Sequence, residues 1–264
     1  MKLSSKNPIG IFDSGIGGTS IWKEIHKLLP DEHSIYLSDS KNAPYGEKSK
    51  KEIIELSVKN TEFLLTKHCK IIVIACNTAT TNAIKLLRQR YTIPFIGIEP
   101  AIKPAALQSN TKVIGILATQ GTLHSQLFEK TASNISKSLR IVEQQGEGLV
   151  ELIEQGKINS AKTNLLLKKY LQPMLKANAD HIVLGCSHYP YLREQIQKLA
   201  GNSVKIIDSG FAVARQTQKV LKQHNLLNTE SANLTNIFYI NKSKTVLLKV
   251  LQNHTKKIVK ELNF

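Results

Sequence analysis

Val73-Ile74-Ala75-Cys76-Asn77-Thr78 and Val183-Leu184-Gly185-Cys186-Ser187-His188 follow one pattern. In each, an apolar run passes through a small residue to a cysteine and then to two hydrogen-bonding residues. Runs this short, β-branched and apolar on both sides suit strands buried on both faces of a parallel sheet. A second echo pairs Ile11-Phe12-Asp13-Ser14-Gly15 with Ile206-Ile207-Asp208-Ser209-Gly210, each a strand ending in Asp-Ser-Gly. Together the echoes suggest two similar halves, each placing one cysteine at a strand end.

Outward from these stretches the same alternation continues. Apolar runs predict strands at 9–12, 34–37, 71–75, 95–98, 113–117, 181–185, 205–207 and 237–240. Segments of helical period lie between them, at 19–29, 48–67, 78–90, 123–138, 158–177, 191–199 and 212–224. Strand and helix in alternation read as an α/β protein, here with two similar doubly wound parallel-sheet domains. Polar residues at the strand C-termini then face the crevice where such folds bind ligands. The chain divides near Glu99-Pro100 and near Asp208-Ser209-Gly210. Residues 1–99 and 210–264 form the first domain, carrying Cys76, and 100–209 the second, carrying Cys186. The C-terminal helices return to the first domain, and Pro94, Pro100 and Pro104 stiffen the crossing.

A chain of 264 residues, 41% of them hydrophobic, can bury the cores of two small domains. No run approaches the roughly 18 apolar residues of a membrane helix, and no apolar segment follows the polar first residues as a signal peptide would. Three cysteines without a Cys-x-x-Cys spacing fit free thiols in a reducing, cytoplasmic setting. The net charge of +16, from 36 basic and 20 acidic residues, is spread over lysines in stretches read as helical, such as 48–51, 157–169 and 242–260. We read it as a generally basic surface that raises the encounter rate of anionic substrates. A basic nucleic-acid-binding protein is the rival from another class; no zinc-finger spacing or aromatic-basic alternation supports it, so no nucleic-acid partner is expected.

Asp13-Ser14-Gly15-Ile16-Gly17-Gly18-Thr19-Ser20 follows a strand and opens a helix, but Ser20 stands where a dinucleotide fingerprint needs its third glycine. Two readings stay open: a tight turn that glycine permits, or a cradle of backbone N–H groups for a carboxylate. Asp39 to Gly46 is a polar loop whose Tyr45 and Gly46 suit a substrate-lining role. Cys76 and Cys186 each precede a helix, whose N-terminus lowers a thiol pKa from about 8.5. Cys69, between His68 and Lys70, lacks that setting and reads as structural.

Two matched thiols have few uses. A metal site needs more ligands than His188 alone can add. A cysteine hydrolase needs one nucleophile and leaves Cys76 idle. Racemisation needs two bases, one to remove a Cα proton and one to deliver a proton to the opposite face, and a thiolate with a thiol makes a symmetric pair.

Six runs in order carry a resemblance: Phe12 to Gly18, Ala43 to Ser49, Ala75 to Thr80, Leu117 to Thr122, Leu184 to Pro190, and Asp208-Ser209-Gly210. They resemble the glutamate racemases of the aspartate/glutamate racemase superfamily and span nearly the whole chain. The resemblance implies an interdomain active-site cleft that closes and expels water, and interconversion of L- and D-glutamate without cofactor or metal. It implies that Cys76 acts on the D-substrate and Cys186 on the L-substrate. Asp13 matches the carboxylate assisting the first thiol, and His188, with Glu154 behind it, the group assisting the second. Ser14, Tyr45, Gly46, Asn77, Thr78, Ser187 and His188 match substrate-contacting positions, as Asp13 does, and Thr119 and Thr122 join them. The resemblance further implies a homodimer, a role in supplying D-glutamate to peptidoglycan, and a peptidoglycan precursor as a candidate activator. A sister enzyme such as an aspartate racemase is the near rival. Ser187 stands where threonine is usual, and Ser38-Asp39-Ser40 where Gly-Asp-Thr is commoner. For Asp208 the reading is a helix cap.

Overall fold

The computed structural model of the protein describes residues 3–135, 139–230 and 235–264. The first strand, β1 (Ile9–Asp13), leads through the glycine-rich loop to α1 (Thr19–Leu28) and β2 (Ser34–Ser38). A 3-10 turn (Tyr45–Glu47) precedes α2 (Lys50–Thr66), β3 (Ile71–Ile74), α3 (Asn77–Arg90) and β4 (Phe95–Gly97). The second half runs α4 (Ile102–Gln108), β5 (Val113–Ala118), α5 (Gln120–Leu123), α6 (Gln126–Ile135), β6 (Arg140–Gln145), α7 (Leu149–Glu154) and α8 (Ala161–Lys176). It continues with β7 (His181–Gly185), a 3-10 turn (Tyr189–Leu192), α9 (Arg193–Ala200) and β8 (Lys205–Ile207). The chain ends with α10 (Gly210–Gln223), β9 (Asn236–Ile240), α11 (Thr245–Val250) and β10 (Lys257–Glu261).

The strands form two parallel sheets, ordered β10-β9-β2-β1-β3-β4 and β6-β5-β7-β8. The second repeats the β2-β1-β3-β4 core of the first, so the two halves are α/β domains of one design. This equivalence sorts the two echoes. Cys76 and Cys186 follow β3 and β7, the third strand of each half, so their likeness is topological. The Asp-Ser-Gly echo joins β1 to β8, a first strand to a fourth, and is not topological. What those segments share is a local turn: Asp13 accepts from Gly15 N–H at 3.0 Å and Asp208 from Gly210 N–H at 2.8 Å. Only the second lies at a helix start: Asp208 stands one residue before Ser209, the N-cap of α10, which makes no side-chain cap bond, and Asp208 holds the Gly210 N–H while pairing with Arg193, so the expected cap acts from one position earlier.

The central strands are Ile- and Val-rich and wholly buried, as in β1 and β3. One core continues between both halves, holding Ile11, Val73 and Trp22 with Leu117, Leu184 and Leu171. The outer faces carry separate cores, under α2 and α3 and under α4 and α6. The two crossings meet: Ser209 Oγ donates to the Glu99 carbonyl.

Several expectations need correction. The 123–138 helix is two, broken at His124-Ser125, where Ser125 Oγ accepts from Phe128 N–H at 3.3 Å; its end, 136–138, lies outside the described residues. The lysine-bearing stretch 242–260 is only partly helical: β10 occupies its end and, with β9, returns to the first sheet as strand. The helix expected at 191–199 begins as a 3-10 turn around Pro190.

Candidate active site

The register sets the site at the C-terminal edges of both sheets. Asp13 pairs with Ser38 and Phe12 with Ile74, so Asp13 and Cys76 emerge at one level. Ala118 pairs with Gly185, so Thr119 and Cys186 do the same in the second sheet. The two edges meet at a seam, where Ser187 Oγ donates to Asp13 Oδ1 at 2.8 Å and Ser20 Oγ to the Ser187 carbonyl at 2.9 Å.

Cys76 caps α3, its sulfur accepting from Ala79 N–H at 3.4 Å and donating to Ser14 Oγ at 3.6 Å. Sequence reasoning expected the helix N-terminus to lower this thiol. Burial instead pushes it up to about 12, with the Asp13 charge adding to the rise; the Ala79 and Ser14 contacts oppose both and lose. A thiolate taken from water loses more than one helix end returns. Asp13 is fully buried, and burial raises its own pKa against the pull of His188 and of its hydrogen-bond donors. It closes a local turn and links across the seam at once.

Cys186 has no helix cap; its sulfur lies 3.9 Å from His188 Nδ1. His188 Nε2 donates to Glu154 Oε1 at 2.6 Å. Burial works against a charged ring, but the bonds to Cys186 and Glu154 outweigh it and hold His188 well above its ordinary range. Burial likewise opposes the Glu154 carboxylate, yet the bonds from His188, Ser40 and Ile16 bring its pKa below the usual value. The two directions agree on a buried imidazolium–carboxylate pair.

That pair settles the glycine-rich loop. Ile16 N–H donates to Glu154 Oε1 at 2.7 Å, so one backbone donor of the loop holds a carboxylate, and that carboxylate is the protein's own; the Gly15 N–H turns to Asp13 instead. A Cβ on Gly15 would sit 2.0 Å from Glu154 Oε1, and one on Gly17 2.2 Å from His188 Nδ1. Neither glycine has positive φ, so close approach rather than turn geometry requires them.

The Asp39–Gly46 loop is pinned by buried Asp39, which accepts from Tyr45 Oη and Asn241 Nδ2, and from Asn42 Nδ2 at 2.8 Å. Gly46 abuts Thr119, and Thr78 Oγ1 lies 2.8 Å from Thr119 Oγ1 and 3.2 Å from Thr122 Oγ1. Asn77 is buried, and both polar atoms of its amide are without a partner. A buried orphan amide in a crevice is a place for a ligand's polar group.

The structure links Ser14 with Cys76, Asp13 with Ser187, and Cys186 with His188 and Glu154, and it gathers Thr78, Thr119 and Thr122 beside Gly46, while the Tyr45 hydroxyl is taken up by Asp39 and Asn60. The two thiols share one electrostatic neighbourhood, since Cys186 contributes to the field at Cys76. They have unlike companions, a buried carboxylate for Cys76 and a cation for Cys186. Cys69 is elsewhere, filling the space beside Gly10 and Leu64. Sequence reasoning missed Ser40, whose hydroxyl donates to Glu154 Oε2 at 2.7 Å, and Tyr191, which meets Thr19 across the seam. For Ser40 a signal was available, since it lies just after β2 at the crevice side; for Tyr191 there was none. Among the described residues no group of three or more His, Cys, Asp or Glu is placed to hold a metal, and no helix is long and apolar enough to cross a membrane.

Comparison with known proteins gives a consistent result. The sequence model of the Asp/Glu/hydantoin racemase family matches residues 9–217. The glutamate racemase of Herpetosiphon aurantiacus is 47% identical over 225 residues, 85% of this chain and 89% of that one. The glutamate racemase of Cupriavidus pinatubonensis is 48% identical over 219 residues, 83% of this chain and 80% of that one. Among solved structures, glutamate racemase isoform RacE1 of Bacillus anthracis superposes with a TM-score of 0.86 at 28% identity, covering 98% of both chains. Escherichia coli glutamate racemase, in complex with L-glutamate and the activator UDP-MurNAc-ala, gives 0.85 at 32% identity, covering 97% of this chain and 98% of that one.

Proposed function

The chain belongs to the Asp/Glu/hydantoin racemase family, among its glutamate racemases, and on that premise we propose that it inverts glutamate by passing protons between substrate, Cys76 and Cys186. One observation carries the mechanism. Each half presents a cysteine after its third strand, and the two meet at one buried seam with companions of opposite charge.

For L-glutamate, Cys186 removes the α proton and Cys76 delivers one to the other face. Cys76 is suited to deliver, because its thiol holds its proton up to about pH 12. An ionised Cys186 has the His188 imidazolium beside it. For D-glutamate the roles reverse, and Asp13 is the buried carboxylate next to the proton that Cys76 must lose. Ionising a thiol of pKa about 12 near pH 8 costs about 5 kcal/mol, which substrate binding has to offset.

The hydroxyls of Ser14, Thr78, Thr119, Thr122 and Ser187, with the Asn77 amide, supply hydrogen bonds for the two substrate carboxylates. Those bonds and the exclusion of water stabilise the carbanion without a cofactor. Asp13 is fully buried and both thiols nearly so, so substrate enters by parting the halves along the seam. The moving bodies are residues 1–99 with 210–264, and 100–209. We place the reaction in the cytoplasm, as the source of D-glutamate for peptidoglycan, in a homodimer. The activator bound by the Escherichia coli relative supports a peptidoglycan precursor as activator here.

The test is circular dichroism of L-glutamate, then D-glutamate, with wild-type protein, Cys76→Ala and Cys186→Ala. Both signals should decay to zero with the wild type and persist with either variant. Inversion of aspartate in place of glutamate would overturn the substrate; racemisation by either variant would overturn the two-thiol mechanism.

A further inference from the structure

Glu154 is held from both halves of the molecule. Its Oε1 accepts from His188 Nε2 at 2.6 Å and from Ile16 N–H at 2.7 Å; its Oε2 accepts from Ser40 Oγ at 2.7 Å. The Ser40 hydroxyl lies 3.0 Å from Ser38 Oγ. Ser40 is 2% exposed and Ser38 fully buried, so no water competes freely for these bonds. His188 and Glu154 belong to the second half, following β7 and ending α7, whereas Ile16, Ser38 and Ser40 belong to the first.

We infer that Ser40 is a positioning residue for Cys186, acting across the seam through Glu154 and His188. The inference rests on the reading of Cys186 as a proton-transferring thiol. A carboxylate bonded at one oxygen can turn about its last side-chain bond. Bonding Oε2 as well fixes its plane, which aims Oε1 at Nε2 and holds the far nitrogen, Nδ1, 3.9 Å from the Cys186 sulfur. The serine's side chain bonds to Ser38 and Glu154 and to neither sulfur, so its effect reaches Cys186 along this chain. Because its donors lie in the other half, the carboxylate is fully clamped only when the halves are together. Parting them to admit substrate removes the Ser40 and Ile16 bonds in one step, and closing restores them as Cys186 is needed.

The experiment compares Ser40→Thr with Ser40→Val, side chains of one shape that differ in the hydroxyl, with Ser40→Ala as a smaller second variant. Wild type and Cys186→Ala serve as controls. kcat and KM are measured in both directions per folded molecule, with the folded fraction taken from thermal melts. Enantiomers have equal free energy, so kcat/KM must change equally in both directions. Loss of one hydrogen bond to a carboxylate should lower it about tenfold in Ser40→Val and Ser40→Ala, while Ser40→Thr stays within about threefold of wild type. With L-glutamate, where Cys186 is the base, the loss should lie in kcat rather than KM. Equal kcat/KM for Thr and Val, or a loss confined to KM, would overturn the role of Ser40 while Cys186→Ala stays inactive. An active Cys186→Ala would bring down the underlying reading and this one with it.

Discussion

Gly17→Ala should disable the enzyme while sparing the fold. A Cβ at Gly17 would lie 2.2 Å from His188 Nδ1, 2.4 Å from Cγ and 2.7 Å from Cε1. Ordinary contact begins at 3.4 Å, so ring and loop must separate by 3.4 − 2.2 = 1.2 Å. The obstacle is a rigid ring, 1% exposed and bonded to Glu154, rather than the free end of a flexible chain. Either the imidazole leaves its place beside Cys186 or the halves fail to close, and both outcomes disassemble the site. A misplacement near 1 Å costs about a hundredfold in rate, or about 2.7 kcal/mol. The backbone itself admits alanine, because Gly17 is not among the residues of positive φ. Gly201→Ala is the converse control: φ is +80° and nothing lies within 4 Å of the added Cβ. It should cost about 1–3 kcal/mol of stability and leave activity intact. The assay is kcat/KM from the decay of glutamate circular dichroism, with urea denaturation alongside. A Gly17→Ala protein within threefold of wild type would refute the reasoning.

Three further outcomes follow from the geometry. Asp13→Asn removes the buried charge beside Cys76 and should bring that thiol down from about 12, seen as faster alkylation of Cys76 at a given pH; an unchanged or slower rate would count against it. The His188–Glu154 pair should stabilise the fold most between about pH 4.5 and 6.5. The raised histidine contributes fully below its ordinary 6.5 and fades as pH rises through its folded value; the lowered glutamate contributes above 4.5 and fades as pH falls through its own. The stability gap between wild type and Glu154→Gln, from urea curves, should peak in that window, and a flat gap would contradict it. Lys70 is fully buried against Glu32 at 2.6 Å, so Lys70→Met should cost about 3 kcal/mol, partly restored by Glu32→Gln in the same chain; additive losses would refute the pairing.

The central strands and the paired cysteines were legible because strands buried on both faces leave uninterrupted apolar runs. The two strands missed, β6 and β10, are edge strands: in Arg140–Gln145 and in Lys257–Glu261 a single Ile-Val pair is flanked by charged or polar residues, too short an apolar run to read as a strand. α4 was hidden by Pro104, which its first turn tolerates, and α7 by its length of 6 residues. At the site, residue identities were readable, and electrostatics were not. The thiol of Cys76 goes up because of burial and Asp13, and burial is a tertiary property that no spacing encodes. The glycines of the first loop invited a backbone explanation, yet the reason for them lies in His188 and Glu154, more than 130 residues away along the chain. Ser40 has a visible place just after β2, but its tie to Glu154 in the other half is not encoded in any spacing.

The direct test of a two-thiol reaction is early-time racemisation of L-glutamate in D2O, with the enantiomers separated and their α-deuterium read by mass spectrometry. If Cys186 removes the proton and Cys76 delivers another, the first D-glutamate formed carries one solvent deuterium while unreacted L-glutamate keeps its proton. Early D-glutamate that retains the substrate proton, or deuterium entering recovered L-glutamate as fast as product, would mean one base serving both faces and would contradict the account.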